Sequence, residues 1–227
     1  MSVALGILSH LSRAIRWNHL LEPLGYRPKI INNLFIVLIS YFANVGIPRA
    51  GEVLRATALA TYEKVPFEKG FGTIVTERVI DLLMLLLVIL ITLGLQTDVI
   101  LAFLEEKGVN FLGAFAILAV GILGLLIATR LIRRSKSKFA LELKAFLNGL
   151  LEGVLSIFKM KRKWWFIFHT LLIWGCYIAM FWVIKYTVEE THQLSLSELL
   201  VAFVGGAFAM STTNGGIGLY PIAVSAA

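Results

Sequence analysis

Charge is scarce in this chain: 15% of its 227 residues are Asp, Glu, Lys or Arg, against 58% hydrophobic, where soluble domains run at about 25% charged and 45–50% apolar. That excludes an ordinary soluble domain and leaves an integral membrane protein. Cysteine is nearly absent, and Cys176 alone forms no internal disulfide. Set in an apolar segment, it reads as a small buried residue. No Walker A loop is present, which excludes that route to nucleotide-driven work. His192 stands beside Glu189 and Glu190 without spaced partners, so it reads as solvated; no metal and no cofactor are expected. The apolar start, Met1 to Ser9, is followed by no small-residue cleavage site and is not a signal peptide. The formal charge of +7 does not imply nucleic acid, because the basic residues cluster beside apolar spans, where the positive-inside rule places them.

What is present is a series of apolar runs. Residues 71–95, 110–129 and 164–186 are each long enough to cross a bilayer core, which takes about 20 residues. Asp98, Glu105, Glu106 and a lone Lys107 separate the first two. Arg130, Arg133, Arg134, Lys136 and Lys138 follow the second, and Lys159, Lys161, Arg162 and Lys163 precede the third. The asymmetry predicts that 130–163 is cytoplasmic and 96–109 outside. Between the basic clusters, Phe139, Leu143, Phe146, Leu147, Leu150, Leu151, Val154 and Phe158 recur at helical spacing. They predict an amphipathic helix over 139–158, lying on the inner leaflet or against the bundle. Residues 10–29 mix Arg13, Arg16, Arg27 and Lys29 with Trp17 and Tyr26, and read as an interfacial helix or a basic connecting loop.

Residues 44–55, Asn-Val-Gly-Ile-Pro-Arg-Ala-Gly-Glu-Val-Leu-Arg, place helix breakers and fixed charge inside an apolar region. Arg49, Glu52 and Arg55 fall three apart. Ionisable groups at membrane depth face a partner or a cavity, and broken backbone there lines a protected site; the competing reading is a cytoplasmic loop with a solvated ion pair. Charge parity puts both ends of 30–60 on one side, so the segment is expected to re-enter as two half-helices turning at Pro48–Glu52. Two short crossings, or an exterior 10–29, would also satisfy the pattern. Residues 198–213 end in the same way at Asn214-Gly215-Gly216-Ile217-Gly218. Two interrupted segments entering from opposite faces are the sequence sign of an inverted repeat with a substrate site between its halves. Glycines there let backbone amides approach an anion closely.

Glu77, Arg78 and Asp81 form a third cluster at the start of the 71–95 helix, spaced to share one side of it. They read as an inward-facing site or as a salt bridge fixing the helix end. Arg49, Arg55 and Arg78 suit bidentate binding of a lipid phosphate, with Glu52, Glu77 and Asp81 orienting them.

The sequences Pro48-Arg49-Ala50-Gly51-Glu52-Val53-Leu54-Arg55, Glu77-Arg78-Val79-Ile80-Asp81 and Gly215-Gly216-Ile217-Gly218 together resemble the lysylphosphatidylglycerol synthase transmembrane region family, flippase-like multispanning proteins similar to the membrane half of bacterial multiple-peptide-resistance proteins. The likeness covers nearly the whole chain. One departure is that Tyr220 and Pro221 stand where the family often has a glutamate. The resemblance implies an inner-membrane protein that moves or handles lipids, in the best-understood members by translocating a modified phospholipid between leaflets; with the charged residues above, the expected cargo is an anionic or modified phospholipid or a lipid-linked headgroup, the expected partners are membrane lipids, and a lipid-modifying enzyme is a possible further one.

The expected fold is therefore all-α: a polytopic transmembrane bundle with two re-entrant segments, forming one flippase-like domain over 1–227 shortened at both ends. The expected substrate-binding set is Arg49, Glu52, Arg55, Glu77, Arg78, Asp81, Asn214, Gly215, Gly216 and Gly218, with no catalytic residue. Two alternatives remain open: a membrane-embedded transferase using Glu52 or Asp81 as general base, and a non-catalytic partner of a lipid-modifying enzyme.

Overall fold

The computed structural model describes residues 1–47, 50–95, 138–212 and 217–225, and every regular element among them is helical. In chain order these are α1 (Ser2–Leu21), α2 (Ile30–Gly46), α3 (Ala50–Glu63), α4 (Phe67–Leu95), α5 (Lys138–Lys159), α6 (Lys163–Ile184), α7 (Leu196–Thr212) and α8 (Leu219–Ser225), with short 3-10 turns after α1 and α6. The span expected at 110–129, the acidic loop before it and the basic residues Arg130 to Lys136 lie outside the described residues, as do Pro48, Arg49, Asn214, Gly215 and Gly216.

Local chemistry sets the boundaries. Pro23 opens the 3-10 turn after α1, and Gly25 ends it at φ 88°, a left-handed conformation suited to glycine. Pro66 precedes α4, at the first turn of a helix where a missing N–H costs nothing. At α7 the Ser195 hydroxyl accepts the Glu198 N–H at 3.3 Å, and the Glu198 carboxylate accepts the Ser195 N–H at 2.7 Å. The two form a reciprocal capping box.

Two helices carry the membrane signal. α4 is 29 residues long and its most apolar 18-residue stretch has a mean hydropathy of 2.5; α6 with its 3-10 extension, Lys163–Thr187, is 25 residues long and the corresponding stretch has 1.9. At about 1.5 Å per residue they reach roughly 43 and 37 Å, beyond the roughly 30 Å of a hydrocarbon core. Their apolar side chains turn outward: Leu82, Leu83, Leu86, Leu90 and Ile91 on α4, and Trp164, Trp165, Phe168 and Leu171 on α6, are exposed. Such a surface suits lipid, since water would oppose it.

α2 and α3 fold back as an antiparallel hairpin. Asn44 near the end of α2 accepts the Gly51 N–H at 2.7 Å, and Asn32 near its start donates to Glu63 at the end of α3 at 2.5 Å. A Cβ on Gly51 would sit 2.2 Å from the Ser40 carbonyl oxygen, so glycine is what lets α3 begin so close to α2.

The helix expected over 139–158 is α5, and it does pack on the bundle, with Leu147, Leu150 and Val154 of its apolar stripe half-buried. Gly149, Gly153 and Ser156 are buried, while Phe146, Leu151, Leu155 and Phe158 are exposed. The crossing with α4 is too close for larger residues. A Cβ on Gly72 would lie 2.3 Å from Leu150 O, and one on Gly153 2.5 Å from Lys69 O. Small residues bring helices this near when no hydrophobic force drives them together. Both obstacles are backbone, so Gly72→Ala and Gly153→Ala are each expected to lower stability by about 1–3 kcal/mol, read as an earlier thermal unfolding midpoint in detergent. An unchanged midpoint in both variants would contradict the close crossing.

Two apolar cores stack along the bundle. One gathers Trp17, Leu20 and Leu21 of α1, Ile36 and Val37 of α2, Ala56 and Leu59 of α3, Ile74 of α4 and Phe166 of α6. The other joins Val88 of α4, Ile173 and Trp174 of α6 and Leu200 of α7. Glu77 and Asp81 fall between Ile74 and Val88 on α4, and Thr170 falls between Phe166 and Ile173 on α6. A polar layer thus separates the two cores.

Candidate functional site: a buried row of alternating charge

The layer is assembled by α1, α3, α4 and α6. Arg13 Nη1 lies 3.0 Å from Asp81 Oδ2, and Asp81 Oδ1 lies 2.9 Å from Arg16 Nη1. Arg16 Nη2 lies 3.2 Å from Glu77 Oε1, and Glu77 Oε2 lies 2.6 Å from Arg55 Nη1. The result is one continuous row, Arg13–Asp81–Arg16–Glu77–Arg55, with a cation at each end. Arg16 is 0% exposed, Glu77 1%, and Arg13 and Arg55 4% each. Burying an ion costs several kcal/mol unless partners compensate it, and here each carboxylate bridges two arginines.

Neutral groups fix the row in place. Arg13 donates to the Tyr177 hydroxyl at 3.0 Å and Arg16 to Thr170 Oγ1 at 3.3 Å. The Arg55 guanidinium lies 3.8 Å from the centre of the Trp17 ring, and the Trp17 indole N–H donates to Thr73 Oγ1 at 2.9 Å. Stacking on an indole face attracts a cation, the more so when water is absent. The same contacts set the helix directions. Going from Arg16 to Arg13, the partners advance from Glu77 to Asp81 on α4 and from Thr170 to Tyr177 on α6, so α4 and α6 run parallel to each other and antiparallel to α1.

The two short motifs meet by exchanging partners. Glu52 of the first accepts from Arg78 of the second at 2.6 Å, while Arg55 of the first pairs with Glu77 of the second, also at 2.6 Å. Arg55, Glu77 and Asp81 of the expected set are therefore brought together in the buried row. Glu52 and Arg78 form a separate pair at its edge, with Arg78 49% exposed, so Arg78 turns toward α3 and does not share Asp81. Gly218 takes φ 80° in the turn before α8. The segment it opens packs on α7 and α6 through Tyr220, whose ring lies against Gly206 and Phe181. The expected residues Arg49, Asn214, Gly215 and Gly216 lie outside the described residues.

The interfacial reading of 10–29 is overturned for its first half: α1 buries Arg13, Arg16 and Trp17 in the centre of the bundle. Basic residues flanking an apolar run satisfy the positive-inside rule, and that explanation hid their pairing. A signal was available. Two acids four apart on an apolar helix need cations, and Arg13 and Arg16, three apart on another helix, match that spacing.

A helical bundle with lipid-suited outer faces and an ionised interior is an integral membrane protein with a built polar site. The chain belongs to the lysylphosphatidylglycerol synthase transmembrane region family, which matches it over residues 1–227. It is 24% identical over 245 aligned residues to a UPF0104 membrane protein of Methanocaldococcus jannaschii, covering 94% of this chain and 71% of that one. It is also 36% identical over 78 residues to a glycosyltransferase of Haloferax volcanii, a match that covers 34% of this chain and 12% of the relative. No solved structure matches the chain.

Proposed function

We propose that the protein is a lipid translocase that moves an anionic or modified phospholipid, or a lipid-linked headgroup, between the leaflets of the inner membrane. The observation that carries the reading is the buried row itself: three arginines and two carboxylates set between two apolar cores. A bundle held together by apolar packing needs no such layer, and intramembrane charge of this kind marks a path for polar cargo. In this reading the α2–α3 hairpin is a re-entrant pair of half-helices. At 17 and 14 residues they span roughly 25 and 21 Å, each short of a full crossing. The α7–α8 segment is its counterpart from the opposite face, the two related as an inverted repeat. Rocking of one half against the other would expose the headgroup site to each leaflet in turn, with residues 130–163 on the cytoplasmic side.

The relative named a glycosyltransferase shares only 12% of its own length with this chain, so its activity is not carried over. The test is lipid crossing in liposomes. Wild-type protein is reconstituted with headgroup-labelled anionic phospholipid, and a membrane-impermeant quencher is added outside. Labelled lipid from the inner leaflet becomes quenchable at a rate well above that of protein-free liposomes if the reading holds. Equal rates across several anionic lipids would remove it.

A further inference from the structure

Arg55 meets Glu77 through Nη1 alone, and its Nε and Nη2 are buried without a hydrogen-bond partner among the described residues. Those two nitrogens form the side edge of the guanidinium, where two N–H bonds point in parallel and match two oxygens of one oxoanion. Buried donors are almost always paired, so an empty fork at this depth is an unfilled valence. The charge count points the same way. With histidines neutral, three guanidiniums against two carboxylates leave one uncompensated positive charge in the row, while Glu52 and Arg78 neutralise each other outside it. Arg13, the other cation at an end, already has a hydroxyl on Nη2 and a carboxylate on Nη1, whereas Arg55 has only one of its nitrogens engaged. The missing charge therefore belongs at Arg55.

Resting on the lipid reading above, we propose that the Nε–Nη2 edge of Arg55 is the binding point for a single phosphodiester, and that the site prefers this singly charged group over a phosphomonoester or a diphosphate. One negative charge completes the alternation at the Arg55 end and brings the row to neutrality. A second charge would stand unpaired beside Glu77, in surroundings where uncompensated charge is most costly. The Trp17 ring holds the guanidinium plane fixed, so the fork is aimed before the ligand arrives. Both nitrogens are closed off in this conformation. The ligand reaches them when the side chains covering that edge part, with Arg55 still on Trp17 and Glu77.

The experiment is a binding series on the full chain in detergent micelles at pH 8, by calorimetric titration and by ligand-induced thermal shift. Four probes are used: dihexanoyl-phosphatidylglycerol, dihexanoyl-phosphatidic acid, geranylgeranyl diphosphate and water-soluble glycerophosphoglycerol. Wild type is expected to bind the phosphatidylglycerol about tenfold or more tightly than the phosphomonoester and diphosphate lipids. Arg55→Lys keeps the charge and removes the fork, and is expected to weaken that binding by about tenfold. Glu77→Gln adds a second uncompensated charge and should erase or reverse the preference for the diester. If that variant fails to fold, the wild-type ranking and Arg55→Lys decide the matter alone. Equal or tighter binding of the diphosphate by wild type, no binding of any probe, or an Arg55→Lys variant that binds like wild type would each overturn the proposal. Glycerophosphoglycerol binding as tightly as the lipid would uphold the phosphodiester site and remove the lipid translocase reading, so the two fail separately.

Discussion

Glu77→Ala is expected to destabilise the protein by about 3–5 kcal/mol, the cost of breaking a buried ion pair from one side. Glu77 bridges two arginines with its two oxygens, at 2.6 Å to Arg55 and 3.2 Å to Arg16. Arg16 keeps Asp81 after the change, but Arg55 loses its one charged partner in the row and remains buried against Trp17. The damage comes from the stranded cation, not from lost packing alone. A variant with Glu77→Leu and Arg55→Met together should therefore be less destabilised than Glu77→Ala. Removing both members of a buried pair often costs little. Denaturant unfolding in detergent, read by tryptophan fluorescence, checks both statements. A double variant at least as unstable as the single one would show that the pair is not what holds the layer.

The second large effect concerns transport and separates the two ion pairs that the motifs create. Arg55→Ala should slow lipid crossing by about tenfold or more, the equivalent of one lost charge-assisted contact to the cargo. Arg78→Ala should slow it by no more than about threefold, because an exposed pair contributes roughly 0–1 kcal/mol. The structure makes the difference. Arg55 is 4% exposed at the end of the buried row, whereas Arg78 is half-exposed and satisfied by Glu52 at 2.6 Å. The comparison uses initial crossing rates at equal reconstituted protein. Equal slowing by both variants would place the cargo at the edge of the bundle and not in its charged interior.

Much of this arrangement was legible in the chain because apolar membrane helices leave so little else to read. The spans at α4 and α6 followed from length and composition, and the facing acids on α4 from their spacing. The exchange between Gly-Glu-x-x-Arg and Glu-Arg-x-x-Asp was half legible. Both motifs read as charged, either facing inward or as an ion pair at a loop or helix end, but which glutamate meets which arginine depends on the register of α3 against α4. That register is set by contacts such as Gly70 against Leu59, distant from either motif. Arg13 and Arg16 were misplaced because local composition offered them a sufficient explanation at the interface; only the unmet charge on another helix argued otherwise. The α5 crossing was obscured for a related reason. Its apolar stripe includes the exposed Phe146 and Leu151, while the closest approach to α4 falls at Gly149 and Gly153, which carry no hydrophobic signal.

The row also explains how a charged layer can be both stable and usable. Each carboxylate is held by two guanidiniums, so a carboxylate that loses one arginine keeps the other. On the proposed lipid reading, a cargo phosphate would exchange at an end while the centre, Arg16, remains bound to both Glu77 and Asp81.

The most direct test of the central claim, that the buried row is a lipid path, compares wild type, Asp81→Asn and protein-free liposomes in the quencher assay. Asp81 holds Arg13 and Arg16 together at 3.0 and 2.9 Å, and asparagine keeps its size while removing its charge. The account predicts rapid loss of inner-leaflet label with wild type, and with Asp81→Asn a rate close to that of protein-free liposomes, the variant remaining folded by gel filtration. Wild-type crossing no faster than in protein-free liposomes, or a folded Asp81→Asn that transports like wild type, would contradict it.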